Sequence, residues 1–284
     1  MKQNMILTGF ADEIAPDLTT QMQVIQRLGM SYIEMRGVDG NNLIYHTDDK
    51  VKEIKLRLDD NGIRLSALGS PLGKIGIEED FEPHFAAFQR AVEIAHKMDT
   101  RNIRMFSFYI PKGKEASAYE GEVLERIGRF VDYAGKEDVV LLHENEKGIY
   151  GEQATECKKL MNTFGGANFR AVFDFANFVQ VKQDTMQAYE LLKEDIAYVH
   201  VKDAIWESGA VVPAGMGDGN LKVILDKLAN AGYQGFLSLE PHLYGFKGLT
   251  QLEQEDNRTV IDTQKELTGE EAFCLAHDSL LKIL

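Results

Sequence analysis

Four apolar runs in the second half of the chain each end on a side chain able to hold a divalent cation. VVLLHE closes on Glu144, RAVFD on Asp174, AYVH on His200 and GFLSLE on Glu240. A single glutamate at a strand end is usually solvated or salt-bridged. Four such ligands behind four consecutive apolar runs point instead to a shared site. Three carboxylates and an imidazole form a hard, oxygen-rich donor set. It suits one Mn²⁺ or Mg²⁺, and the imidazole also admits Co²⁺, Zn²⁺ or Fe²⁺. On an octahedral ion, four protein ligands leave two positions for adjacent substrate oxygens, such as those of a hydroxyketone. Glu146 lies one strand step beyond Glu144 on the same side and competes for its place. His143 points to the opposite face and reads as packing.

The elements that must position these residues are strands alternating with helices. Strand-like runs occur at Met5–Phe10, Tyr32–Arg36, Arg64–Gly69, Asn102–Phe106, Val139–Glu144, Arg170–Asp174, Ala197–Val201 and Phe236–Glu240. Helical patterns lie between them, at Leu18–Leu28, Asp48–Asp60, Phe81–Met98, Gly121–Ala134, Glu152–Phe164, Thr185–Leu192 and Leu221–Ala231, with a last helix at Glu270–Leu284. The junctions RLGMSYIEM, DDNGIRLSA and NAGYQGFLSLE each place a glycine where a helix stops, a left-handed cap that turns the chain into the next strand. This alternation predicts a parallel sheet, and eight units predict closure into a single (β/α)8 TIM barrel with a C-terminal helix, spanning residues 1–284 as one domain. An open doubly wound sheet is the alternative, but no GxGxxG follows the first strand. In a barrel, the C-terminal strand ends face one mouth, so the four ligands would meet there.

Further candidates cluster at the same strand ends. Glu34 and Arg36 share one face of a strand, where the arginine can hold a substrate carboxylate or phosphate. An ion pair between them or to a neighbouring strand explains the two equally well. His242 follows Glu240 by two positions and is expected near substrate. Trp206, Phe10, Phe106 and Tyr109 can wall a sugar's apolar face, although core packing accounts for each singly. The loop Pro213–Asn220 carries Gly215, Gly217 and Gly219, whose amides can cradle a phosphate or simply form a turn.

Composition narrows the function classes. With 45 acidic and 31 basic residues among 284, the chain carries a formal charge of −14 and has no Lys/Arg-rich run, which argues against nucleic-acid partners. Cys157 and Cys274 lie far apart in helical patterns and read as thiols of a reducing compartment. No apolar run reaches the length of a membrane span or a signal segment, so a cytoplasmic protein without membrane attachment is expected.

The quartet, in its settings HENE, FDFAN, HVKD and LEPH, resembles the xylose isomerase-like TIM barrel superfamily, and within it the sugar phosphate isomerase/epimerase group. The resemblance covers nearly the whole chain as a fold and the four strand ends as motifs. It implies a divalent-metal-dependent isomerase or epimerase of a small ketose, sugar phosphate or related hydroxyketone, working through a metal-bound enediolate. It further implies that Glu144 and Glu240 are both ligands and the catalytic residues that move the proton, while Asp174 and His200 serve mainly as ligands. Lys202 would contact substrate or line the mouth, and a homodimer or homotetramer would be usual. Where many members have Asp-x-x-His after strand six, this chain has Asn177, an amide that can bind a substrate hydroxyl but ligates metal poorly. A second metal is therefore not expected. The apurinic-endonuclease branch uses a histidine-rich three-zinc cluster with Asp-x-His after strand seven. Here Val201–Lys202–Asp203 stands in that place, which argues against DNA repair. The alternatives are a lyase that dehydrates an inosose or keto sugar, and a barrel that binds sugar without catalysis.

Overall fold

Eight short strands carry the architecture: β1 (Ile6–Gly9), β2 (Tyr32–Met35), β3 (Arg64–Leu68), β4 (Asn102–Met105), β5 (Val140–Glu144), β6 (Phe169–Asp174), β7 (Ile196–Val201) and β8 (Phe236–Leu239). The computed structural model describes residues 5–245, 260–261 and 267–284. The strands form one sheet in the order β1-β8-β7-β6-β5-β4-β3-β2, every neighbouring pair parallel. A parallel bridge from Phe10 to Glu34 joins the two ends, so the sheet curls into a nearly closed barrel. This is the (β/α)8 architecture expected from the alternation.

Helices α1 (Leu18–Arg27), α2 (Asp48–Asp60), α3 (Phe81–Lys97), α4 (Glu120–Lys136), α5 (Ala154–Phe164), α6 (Thr185–Leu192), α7 (Leu221–Asn230) and α8 (Gly269–Ile283) surround it. Their starts follow local chemistry: Asp17, Thr47, Asp80 and Asp184 each accept a backbone N–H of the first turn, and Thr268 with Glu271 forms a capping box. The three expected stops hold. Gly29, Gly62 and Gly232 have φ of +71°, +67° and +84° with open space around the missing Cβ, so conformation rather than crowding selects glycine. At Gly9 the reason is space, because a Cβ there would lie 2.7 Å from the Phe273 ring of α8.

The strands are buried on both faces, which is why they read as nearly continuous apolar runs. Leu141, Phe173, Val199 and Leu237 face the helices, while Leu142, Val172 and Tyr198 pack with Ala67 inside the barrel. Some features near the site lie outside the sequence expectations. A short helix, Phe175–Gln180, starts directly after β6, and Asp203–Ala204, Ala210–Val212 and Val260–Ile261 form a small sheet beyond β7. Among the described residues no helix is long and apolar enough to cross a membrane.

Candidate metal centre

One step above the apolar layer, the inward side chains become charged. Glu144, Asp174, His200 and Glu240 each offer a ligand atom, these atoms lie within 4.8 Å of one another, and all four residues are buried. His200 Nδ1 stands 3.0 Å from Glu144 Oε1, 3.9 Å from Asp174 Oδ2 and 3.8 Å from Glu240 Oε2. Glu146 lies apart from this group, 3.0 Å from Lys74 Nζ. His143 is turned away, its Nε2 2.9 Å from Ser107 Oγ.

The donors fit a cation by a direct test. His200 Nδ1 and Asp174 Oδ2 are buried without an aligned hydrogen bond. Asp174 Oδ2 does lie 3.2 Å from Lys202 Nζ, an ion-pair distance without hydrogen-bond alignment. Buried polar atoms are ordinarily satisfied. Burial opposes charge on the His200 imidazole, yet Glu144 and Glu34 hold it well above its ordinary range, so three carboxylates draw positive charge to the place a cation would take.

The surroundings hold each ligand separately. Glu144 receives Arg104 Nη1 at 3.1 Å and Asn177 Nδ2 at 3.3 Å. Burial pushes its carboxyl upward, but His200 and Arg104 outweigh that and bring it to about 2. Glu240 receives Lys202 Nζ at 2.7 Å and Arg36 Nη1 at 3.3 Å. Burial opposes ionisation there too, yet Lys202, His242, His200 and Arg36 hold this carboxyl well below its ordinary range. Asp174 differs. Burial, opposed by Lys202 and reinforced by Glu240 and Glu144, raises it to about 7. Its Oδ1 caps the short helix by accepting the Asn177 N–H at 2.8 Å, so one aspartate ends β6, starts a helix and points its second oxygen into the centre.

The remaining sequence candidates fall in different places. Glu34 meets His200, with its oxygens 3.1 and 3.3 Å from Nε2. Arg36 is gripped by Asp12 at 2.8 and 3.3 Å and by Glu13 at 3.2 Å, besides Glu240. Asn177 links Glu144 to the Asn145 carbonyl, which it reaches at 2.9 Å. His242 has a left-handed φ of 45°, donates its backbone N–H to Glu13 Oε2 at 2.8 Å, and places Nε2 3.6 Å from Glu240 Oε1. Burial keeps its imidazole well below the usual range. Glu13, Glu240 and His242 also cluster within 4.8 Å, but the Arg36 guanidinium already sits against both carboxylates.

Trp206 stands outside the centre, half-buried against Ala176, Val179 and Ala204. The glycine loop does not offer its amides to a ligand. Gly215, Gly217 and Gly219 donate to the Asp203 carboxylate at 2.9, 3.0 and 3.0 Å, so the chain's own acid fills that cradle. Three participants escaped sequence reading. Arg104 stacks on Phe10 and Phe106, with its Cζ 5.0 and 4.8 Å from the ring centres, and Asp12 and Glu13 lie in the 3-10 turn after β1. The alternation of NIRMF puts Arg104 and Phe106 on one face and was the available signal for the arginine. Nothing local marks the two acids.

Known proteins share this scaffold. The structure resembles that of the IOLI protein, solved with a bound zinc atom, at TM-score 0.76 and 16% identity over 98% of both chains. It resembles a D-psicose 3-epimerase from Clostridium cellulolyticum H10 at TM-score 0.74 and 15% identity, again over 98% of both. The probable 3-DHS dehydratase AsbF of Bacillus anthracis matches at TM-score 0.71 and 15% identity, over 98% of this chain and 99% of that one. At such identities the likeness is one of fold. No curated protein matches significantly by sequence. The family model described as xylose isomerase-like TIM barrel matches residues 22–264. With that match on a barrel that gathers its ligands at the strand ends, the chain belongs to the xylose isomerase-like TIM barrel family.

Proposed function

We propose that the chain is a divalent-metal-dependent isomerase or epimerase of a small ketose, sugar phosphate or related hydroxyketone. The observation that carries this reading is the convergence of four buried ligands on a point where two buried polar atoms lack an aligned hydrogen bond. Glu144, Asp174, His200 and Glu240 would hold the ion, Mn²⁺ or Mg²⁺ by the donor set, and it would supply Lewis-acid stabilisation of charge on a substrate carbonyl oxygen.

The chain's own residues do the rest. Glu144 at the end of β5 and Glu240 directly after β8 stand at the two ends of the quartet, with β6 and β7 between them. One removes the proton from the carbon beside the carbonyl. The other delivers a proton to the opposite face of that carbon, giving an epimer, or to the neighbouring carbon, giving an isomer. Both carboxyls are held below their ordinary range, so either can act as the accepting base, and the one that returns a proton first takes it up from solvent or, for Glu240, from the Lys202 ammonium 2.7 Å away. Arg104 fixes one oxygen of Glu144, and Lys202 with Arg36 fixes Glu240, which orients each carboxylate. A positioned base contributes roughly 10²–10⁴-fold.

Dehydration of an inosose or keto sugar is the second reading. Lys202 favours it, because a buried ammonium 2.7 Å from Glu240 is a proton source for a departing hydroxyl. The Mn²⁺-loaded protein, incubated with ketoses and keto-inositols in deuterated water, should exchange one carbon-bound hydrogen, as followed by proton NMR. A conjugated product absorbing in the ultraviolet selects the lyase. Absence of exchange across the panel, with metal bound, removes proton transfer and leaves a binding barrel.

A further inference from the structure

His200 offers the centre its Nδ1, and the contact that leaves that nitrogen available is on the far side of the ring. Nε2 lies 3.1 and 3.3 Å from the two oxygens of Glu34, and both residues are fully buried. A neutral imidazole carries one N–H, and the partner of one nitrogen decides which nitrogen bears it. A carboxylate oxygen accepts from a ring N–H. Glu144 Oε1 stands as close on the other side, 3.0 Å from Nδ1, but a cation on the quartet would take that carboxylate and Nδ1 together as ligands, and Glu34 would then keep the single N–H on Nε2.

Glu34 is itself held from several directions. The pairing of β2 with β3 shifts register between Ile33 and Glu34, and Glu34 also makes the bridge to Phe10 that joins the barrel's ends. The shift leaves Glu34 beside Ala67 rather than Ser66. Ser66 instead joins a buried hydroxyl chain beneath the pair, 2.8 Å from Thr8 Oγ1 and 2.8 Å from Tyr198 OH. The Tyr198 ring stands edge-on to His200 at 5.8 Å, and the Phe10 ring stands edge-on to it at 5.2 Å. The imidazole thus has one orientation, fixed by two rings and one carboxylate.

We infer that Glu34 is the positioning residue that sets the tautomer of His200, and through it the metal affinity of the centre; its carboxylate faces the imidazole rather than substrate. This rests on the metal reading proposed above. The test uses zinc alone as the probe, on the full chain with ¹⁵N-labelled histidine. In the zinc-loaded protein, His200 should show a protonated Nε2 and a zinc-bound Nδ1. Glu34→Ala should weaken zinc binding of the folded protein by about 10–100-fold. Glu34→Gln should lose less, because its amide oxygen accepts the same N–H. Zinc on Nε2, or a Glu34→Ala affinity within about threefold of the unaltered chain, overturns the inference. If Glu34→Ala fails to fold, the tautomer in the unaltered chain decides alone. Failure of the unaltered chain to take up zinc overturns the metal reading itself, a distinguishable result.

Discussion

Along β5, β6 and β7, one strand step separates two regions with opposite character. Leu142, Val172 and Tyr198 form a dry layer with Ala67 inside the barrel. Two positions later on the same face, Glu144, Asp174 and His200 form the charged layer, joined by Glu240 from β8. The lower layer is packed for stability. The upper layer gathers three carboxylates away from water, and burial, with Glu240 and Glu144 adding to it, raises Asp174 to about 7. The comparison teaches that the fold confines its unfavourable electrostatics to one level and supports that level on a rigid floor.

Substitutions in the two layers should therefore act on different observables. In the upper layer, Glu240→Gln keeps an acceptor for Lys202 and should leave the fold intact while lowering turnover by about 10²–10⁴-fold, read as loss of deuterium exchange. Normal exchange in that variant would end the two-glutamate mechanism. In the floor, Leu142→Ala should destabilise by about 2–5 kcal/mol in denaturant titrations, with zinc affinity of the folded protein nearly unchanged. A large loss of affinity there would show that the two layers are one cooperative unit.

Asp174→Asn should separate the layers further. It keeps an oxygen for the cap on Asn177 but removes one of the crowded charges, so the metal-free protein should gain stability of order 1 kcal/mol at pH 8 while zinc binding falls sharply. Equal or lower stability would show that Lys202 depends on that charge more than Glu144 and Glu240 suffer from it.

The smallest effects are in pH. Burial draws His84 and His143, both outside the charged layer, down to about 4 from 6.5. Between these values the unfolded chain takes up protons that the folded chain refuses. Their contribution is then complete above pH 6.5 and lost progressively as pH falls toward 4. His84→Gln, which retains an acceptor for the Gly73 N–H, should flatten part of that slope in denaturant titrations. Zinc affinity should decline on its own schedule as pH drops, because the ion competes with protons on Asp174, raised to about 7, and on His200, held well above its ordinary range.

The sequence made the upper layer legible because each ligand ends an apolar run, and runs of that kind have few meanings. Asp48–Asp60 and Thr185–Leu192 match the observed helices at both ends, since Thr47 and Asp184 cap them locally. What stayed hidden depends on long-range contact. Glu34 shares a strand face with Arg36, but only closure of the barrel brings it to His200, 166 positions along the chain. The short helix at Phe175–Gln180 was obscured because Asp174 serves strand and helix at once. The glycine loop suggested an anion cradle, and its amides do bind an anion, but that anion is Asp203.

The central claim is a single ion held by residues from four strands. Anomalous diffraction from crystals of the Mn²⁺- or Zn²⁺-loaded protein tests it most directly. The account predicts one peak per chain, about 2.0–2.3 Å from Glu144, Asp174, His200 Nδ1 and Glu240. A peak bound elsewhere, or none at this quartet under saturating metal, would contradict it.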